Sequence, residues 1–470
     1  MDLDVVILAA GKGTRMRSKL PKVLHPMAGK PMLLHVLDAA QALRARTLGV
    51  VVGHGADIVR DRVDAVCPGV TWVHQAEQLG TGHAVQEAMK VVPQDGVVLV
   101  LYGDVPLVST DTLNSAVAQA QAGNVGLVTA EMADPAQLGR IVRDAEGAIQ
   151  AIVEFKDADA AQRQINEINS GIMAIPGPHL MGWLDRLNTD NAQGELYLTD
   201  IIAMAVNDAV SVVAVHATPA EVTGVNDRVQ LAEVERIYQQ QQAAALMRAG
   251  VTMADPSRVD IRGQVTAGED CFLDINVVLE GEVSLGHGVR IGAGAVISNA
   301  SLGDNTEVHP HTVVEGATVA ANCALGPFAR IRPNTVLEDG VKIGNFVETK
   351  KSHLGPGTKA SHLAYLGDAT FGKDCNIGAG AITANYDGVN KFPTNAGDNV
   401  FVGTNVTMVA PLNLKDAAFL AAGSTVTKVV EAGSLAVARG RQKNKANWPR
   451  PDGKTPANGV ADKDLGQDND

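Results

Sequence analysis

Aromatic side chains are scarce in this chain of 470 residues, at 3% of the total. The core must therefore be filled by aliphatic and small side chains. Cysteine is scarcer still: Cys67, Cys271, Cys323 and Cys375 lie far apart and form no CxxC pair. That excludes a structural zinc ribbon or a disulfide framework and makes a reducing cytoplasm the expected setting. Long apolar runs are missing. The longest are of the size of Val97 to Leu101, far short of the ~20 residues that span a bilayer. The first residues do not read as a secretory signal: Asp2 and Asp4 precede a short apolar run, and Lys12, Arg15 and Arg17 follow it. Positive charge is also short, with 39 Lys and Arg against 52 Asp and Glu, a net charge of −13 that argues against bulk nucleic-acid binding. What is present excludes disorder, since 46% of the residues are hydrophobic and 19% charged. Glycine is frequent at 48, and with so few rings this points to repetitive β structure with tight corners. At ~150 residues per domain the length suggests two or three domains.

Residues 1–226 alternate two patterns. Val5 to Leu8, Leu48 to Val52 and Val97 to Tyr102 are short apolar runs, as expected of strands buried on both faces. Amphipathic stretches such as Met32 to Leu43 and Gly82 to Val91 separate them. The alternation predicts βαβ units and a mostly parallel, Rossmann-like α/β sheet. Over 227–250 the pattern predicts a linker helix. Asp227 caps it, Leu231, Val234, Ile237 and Tyr238 recur at helical spacing, and Gly250 ends it. Over 251–438 the period becomes six. Val319, Leu325, Ile331, Leu337 and Ile343 form an unbroken series; Leu285, Ile291, Ile297 and Val402, Met408, Leu414, Leu420, Val426 form others. Glycine often follows the aliphatic residue. Hexapeptide periodicity predicts a parallel β-helix with three hexads per coil. Residues 384–400 break the register and read as a projecting loop. The tail, 439–470, is polar and expected to be disordered, with five basic residues and no acid over 439–450.

The first run leads into LAAGKGTRM, residues 8–16, and then Pro21-Lys22. Gly11 and Gly13 allow a phosphate to approach the backbone, and Lys12, Arg15 and Lys22 supply charge. GxxxxGK[ST] is absent, and Met16 stands where a dinucleotide fingerprint needs its third glycine. GxGTRM followed by PK resembles the sugar nucleotidyltransferases. Tyr102-Gly103-Asp104 ends a buried run, which places a carboxylate where α/β sheets bind ligands; Asp104 suits Mg²⁺ or, alternatively, caps a turn at Pro106. Gln75 and Gly80-Thr81 could meet a base and ribose, or Thr81 could simply cap a helix. Glu154, Asn169 and Asn226, taken alone, are as readily turn residues as ligands. In the hexad region Arg332, Glu348, Lys350, Lys351, His353, His362 and Tyr365 make a polar segment. Residues about one coil apart stack, so Glu348 could orient His362 as a base. A solvated surface histidine and a solvated lysine pair are the plain alternatives.

The order of parts and local strings such as QAEQLGTGHA, LYGDVPL, EINSGI, GVND, GPFARIRP, GNFVE, NIGAG and NYDG carry a wider resemblance, up to about residue 450. The chain resembles the bacterial family of bifunctional N-acetylglucosamine-1-phosphate uridylyltransferases / glucosamine-1-phosphate N-acetyltransferases. The resemblance implies a left-handed β-helix, a homotrimer, and a place upstream of peptidoglycan and lipid A precursors. For UTP and N-acetylglucosamine-1-phosphate it implies Leu8, Ala9, Ala10, Gly11, Lys22, Gln75, Gly80, Thr81, Tyr102, Gly103, Asp104, Gly139, Glu154, Asn169 and Asn226. Asp104 and Asn226 match the magnesium ligands, and Arg15 and Lys22 the catalytic cations. For glucosamine-1-phosphate it implies Arg332, Lys350, Tyr365 and Asn376, with His362 as proton acceptor. For acetyl-CoA it implies Ala379, Asn385, Tyr386, Thr404, Ala422 and Arg439. Thr404 stands where serine is usual, and Ser170 where threonine is common. Two other readings remain at this point: a nucleotidyltransferase whose β-helix only assembles subunits, and a non-catalytic regulatory subunit.

Overall fold

The six residues Leu3–Leu8 are buried along their whole length, and this strand organises the first half of the chain. The computed structural model describes residues 2–446 and 448. The chain divides into two compact units, Met1–Gly340 and Val341–Asp470. Most of the tail expected to be disordered, residues 447 and 449–470, lies outside the described residues.

The first unit opens with nine strands in one sheet. They are β1 (Leu3–Leu8), β2 (Thr47–Val52), β3 (Thr71–His74), β4 (Val97–Tyr102), β5 (Val125–Glu131), β6 (Arg140–Arg143), β7 (Ile149–Val153), β8 (Glu167–Pro176) and β9 (Val212–His216). The spatial order is β9-β5-β8-β4-β1-β2-β3, with β6 and β7 paired at the side of β8. All neighbours on the main path are parallel except β8, which runs antiparallel to both β4 and β5. Alternation along β1 splits the core. Val5 and Ile7 pack on one side with α1 (Met32–Ala42), α2 (Ala56–Asp64) and α4 (Thr110–Gln121). Val6 and Leu8 pack on the other with α3 (Thr81–Ala88), α5 (Gly177–Leu184) and α6 (Ile201–Asn207). Each fully buried aliphatic contributes about 1.5–3 kcal/mol. The strand begins before the apolar run: Asp4 is fully buried, and its carboxylate accepts two bonds from the Arg46 guanidinium, 2.6 and 3.2 Å. Since β2 and β3 lie on one side of β1 and β4 on the other, the chain reverses direction between β1 and β4. The carboxyl ends of those two strands flank a crevice.

Helix α7 (Arg228–Arg248) follows the sheet where the sequence predicts it. Asp227 accepts from the N–H groups of Val229 and Gln230. Val234 is buried in a small apolar cluster, with Leu231, Ile237 and Tyr238 packed against it.

From Val259 the strands pair in parallel at a fixed offset. In the first unit Ile261 pairs with Leu279 and Leu273 with Ile291, 18 apart; Leu302 pairs with Val319 and Val314 with Ile331, 17 apart. Three hexads make one coil of a parallel β-helix, and the hexad aliphatics point inward: Ile291, Ile297, Leu325 and Ile331 are essentially inaccessible. In the second unit Ile343 pairs with Ala360 and Thr349 with Leu366, again 17 apart. There the offset jumps to 25 between Phe371 and Ala396 and returns to 18 between Ala396 and Leu414. The inserted residues lie between strands Ile382–Ala384 and Thr394–Ala396, so the projecting loop is 385–393, shorter than the 384–400 expected. Thr394 and Ala396 are buried and already back in the ladder; the polar residues around them misled the pattern reading.

Helix α7 is fastened to the first rung by one side chain. Gln239 is 2% exposed; it accepts from Ile261 N–H at 2.6 Å and donates to Ile261 C=O at 2.9 Å. Gln239→Leu leaves both backbone groups unpaired and is expected to cost about 2–4 kcal/mol. A calorimetric scan of the full chain should show a lowered first transition; an unchanged scan would mean that water replaces the amide.

Candidate active sites

A cavity of about 360 Å³ opens at the carboxyl ends of β1 and β4. Leu8, Ala9, Ala10 and Gly11 line it from the first strand, Tyr102 and Asp104 from the fourth, Gln75 after β3, and Gly80 and Thr81 at the start of α3. Lys22 closes one side. Ten of the residues expected at the nucleotide are thus gathered in one place. Gly103 lies just beneath, its N–H bonded to Leu8 C=O at 3.0 Å. Gly80 has φ +117°, and a Cβ there would lie 2.5 Å from Leu196 O, so only glycine fits this entry to α3. Thr81 is the first helical residue and not the cap; its hydroxyl accepts from Leu198 N–H. Arg15 sits exposed on the turn Thr14–Met16 and is not among the cavity's lining. Gln78 and Glu195 line the cavity without having been expected; Gln78 holds Ala10 C=O at 2.7 Å. The second glutamine of QAEQ was the available signal for the former.

The ammonium of Lys22 donates to Asp104 Oδ2 and, at 3.2 Å, to Asn226 Oδ1. Two hard oxygen donors, distant in sequence, therefore converge on one cation. Backbone ties them too, because Val225 N–H donates to Asp104 C=O at 2.9 Å. Among the described residues no group of three or more His, Cys, Asp or Glu could form a protein-only metal cage. One carboxylate and one amide oxygen fit Mg²⁺ that keeps its other positions for phosphate oxygens and water.

Gly139, Glu154 and Asn169 come together beside this cavity. Asn169 N–H donates to Gly139 C=O at 2.9 Å, and a Cβ on Gly139 would sit 3.4 Å from Glu154 Oε1. Glu154 Oε1 accepts from Thr199, a partner the sequence reading missed. Burial pushes the Glu154 carboxyl above its usual 4.5; the Thr199 bond opposes this, while Asp157 and Asp200 add to it. The Tyr102 hydroxyl is raised by burial, then by Glu154 and Asp104, so this ring stands between the two groups of residues.

The second site lies along one corner of the β-helix in the second unit. His362 pairs with Asn345 in the ladder, and its Nδ1 is 2.8 Å from Asn345 Oδ1. An amide oxygen only accepts, so Nδ1 carries the hydrogen and Nε2 keeps a free lone pair. Asn345, 17 residues before the histidine, thus has the orienting position considered for Glu348, which aligns instead with Tyr365. Adjacent backbone bonds run up the same corner: Gly380 N–H to Leu363 C=O, Asn405 N–H to Ala379 C=O, and Gly423 N–H to Thr404 C=O. Arg439 donates to Ala422 C=O at 2.7 Å. His362, Ala379, Thr404, Ala422 and Arg439 therefore form one column. Four steps of ~4.8 Å make it on the order of 19 Å long. Asn385 is nearly buried and donates to Asp368, while Tyr386 projects with the loop. Lys350 pairs with Gly367, over which the Tyr365 ring lies, so these two share a face. Asn376 pairs with Lys359 on the preceding face. Arg332 is half-buried at a corner of the first unit.

Comparison with known proteins agrees with both halves. The profile of the MobA-like NTP transferase domain matches residues 5–168, and that of the GMPPB C-terminal domain matches 261–356. The bifunctional protein GlmU of Marinobacter nauticus is 55% identical over 450 residues, covering 96% of this chain and 99% of that one. This chain belongs to the bifunctional GlmU family. GlmU proteins of Alkalilimnicola ehrlichii and Pseudomonas putida strain GB-1 are 53% and 52% identical, each over 96% of this chain and 96% and 99% of their own length. Membership in the GlmU family removes the reading of a non-catalytic regulatory subunit. No helix among the described residues is long and apolar enough to cross a membrane.

Because the Glu154 pKa is raised on folding, the unfolded chain loses that proton first. Its contribution is unimpaired below the ordinary carboxyl range and is lost as pH rises through the folded value. Glu154→Gln should therefore raise the melting temperature by a few degrees at pH 7 and not at pH 4. Equal melting of the two proteins across that range would show Glu154 to be solvated.

Proposed function

We propose that this GlmU-family chain makes UDP-N-acetylglucosamine in two steps at two separate sites. Acetyl-CoA first acetylates glucosamine-1-phosphate; UTP then donates its uridylyl group to the N-acetylglucosamine-1-phosphate, releasing pyrophosphate. The observation that carries this reading is the presence of two unlike polar constellations, one on each unit: a crevice with a cation between Asp104 and Asn226, and a corner column that begins at an imidazole and ends at a guanidinium.

In the first site the backbone of Leu8 to Gly11 and the N-terminus of α3 face the triphosphate, and Gln75 faces the base. Glu154, Asn169 and Gly139 receive the sugar beyond Tyr102. The sugar phosphate oxygen attacks the α-phosphorus, forming the new P–O bond as the bond to pyrophosphate breaks. Lys22 and Arg15 offset charge on the phosphates. Mg²⁺, held by Asp104 Oδ2 and Asn226 Oδ1, supplies further charge neutralisation when bound.

In the second site His362 Nε2 takes a proton from the glucosamine nitrogen as that nitrogen bonds to the thioester carbon, and coenzyme A leaves as its thiol. Asn345 keeps Nδ1–H engaged, so the imidazole presents the basic nitrogen. Arg332, Lys350, Tyr365 and Asn376 bind the sugar phosphate. The column through Ala379, Thr404 and Ala422 carries the cofactor, with Asn385 and Tyr386 beside it, and Arg439 meets its phosphates. Lys350 and Tyr365 occupy one face and Asn376 its neighbour, and the outward sides of adjacent faces diverge. A homotrimer would join complementary faces of different chains. Phe346 and Leu363, 57% and 59% exposed at left-handed corners, support such a surface, because bulky residues seldom hold that conformation without use. A cytoplasmic setting fits four buried free thiols.

The purified protein would receive glucosamine-1-phosphate, acetyl-CoA, UTP and Mg²⁺, with products read by mass spectrometry. UDP-N-acetylglucosamine, coenzyme A and pyrophosphate are expected. His362→Ala should lower acetyl transfer by ~10²–10⁴-fold and spare uridylyl transfer, with Asp104→Ala doing the reverse. Product formed only from ready-made N-acetylglucosamine-1-phosphate would reduce the β-helix to a scaffold, and loss of both activities in either folded variant would overturn the two-site assignment.

A further inference from the structure

Lys22 presents a puzzle that its expected role at the phosphates does not explain. Its ammonium does not point at open cavity. It is bonded to both oxygens, Asp104 Oδ2 and Asn226 Oδ1, that would hold the divalent cation. The side chains of Lys22 and Asp104 are only 12% and 16% exposed, so water competes weakly for these bonds. The lysine stem is pressed against the GxGTRM turn: a Cβ on Gly13 would lie 2.6 Å from Lys22 Cβ.

We propose that Lys22 is a resident stand-in for the metal. In the nucleotide-free protein its ammonium satisfies Asp104 and Asn226 and keeps a divalent cation off them; it yields them when metal and nucleotide arrive together. The inference rests on the reading of Asp104 and Asn226 as the metal's protein ligands. The physical argument is one of charge. A bare divalent ion entering this site must break two bonds to a charged donor and leave a displaced ammonium facing it in a shielded place. A nucleotide changes that balance, because its phosphate oxygens give the ammonium new acceptors in the cavity that Lys22 already lines. The paired oxygens keep their places through the exchange, since the Val225 to Asp104 backbone bond does not involve the lysine. Metal and nucleotide therefore bind with positive coupling, and the coupling is reciprocal. The device also keeps the two oxygens from facing each other without a cation.

The test is titration of the full chain with Mn²⁺, free ion being followed by electron paramagnetic resonance. Wild type without nucleotide should bind Mn²⁺ weakly at this site and gain a tight protein-bound ion with saturating UTP, after allowance for the free Mn²⁺–UTP complex. Lys22→Met, with Lys22→Ala as a second variant, should bind nucleotide-free Mn²⁺ about ten-fold tighter or more. Adding Asp104→Ala to Lys22→Met should abolish that gain. Arg15→Met removes the same charge from the neighbouring turn and should leave Mn²⁺ affinity within about three-fold. Circular dichroism would establish that each variant is folded. If the Lys22 variants bind no tighter than wild type while UTP still brings Mn²⁺ to the protein, the stand-in fails and the metal reading survives. If Arg15→Met tightens binding equally, the effect is general charge and the stand-in also fails. If no Mn²⁺ reaches the protein even with UTP, both readings fall.

Discussion

Parallel strand pairing is the constraint on which both halves of this chain depend. Parallel neighbours carry their carboxyl ends to the same edge, so the segments after β1, β3 and β4 meet although they are separated by tens of residues. The first cavity follows from that geometry. In the hexad region the same pairing at 17 or 18 residues stacks like positions on like. A corner then becomes a column in which His362, Thr404 and Arg439 are near in space for no reason visible in their local sequence. Chemistry is placed in each case by where parallel strands end.

Much of this was legible because each period has a mechanical cause. Val5 to Leu8 could be read as a strand buried on both faces, and the five aliphatics from Val319 to Ile343 as inward-facing hexad positions. The cavity residues were found through glycines and charges set just after apolar runs. What escaped reading depended on contacts between distant segments. Asp4 reads as polar, yet Arg46 allows it to sit fully inside β1. Thr199 meets Glu154, and Asn345 meets His362, through pairings that local composition does not announce. The loop was drawn too long because Thr394 to Ala396 looks like loop; only the ladder to Ala369 and Leu412 shows that it has rejoined the coil. Glu348 was a reasonable partner for the imidazole by spacing alone, but a coil of 17 residues puts Asn345 there instead.

The two sites differ in how they manage charge, and the difference follows from burial. In the crevice a carboxylate and an amide oxygen are shielded, and a shielded carboxylate without a partner is costly. Lys22 meets that cost inside one chain, so this site can be organised before any ligand arrives. The corner column is open to water on the single chain, with His362 and Arg439 both exposed. An imidazole in water gains little from its neighbours, and an arginine in water is well solvated without a phosphate. Such a site becomes selective only when something covers it and lowers the local dielectric. The bulky Phe346 and Leu363, held in left-handed corners beside the column, give a covering surface a place to seat. Uridylyl transfer is thereby assigned to a site complete within one chain, and acetyl transfer to one that depends on assembly. Dilution to monomers should separate the two activities by that logic alone.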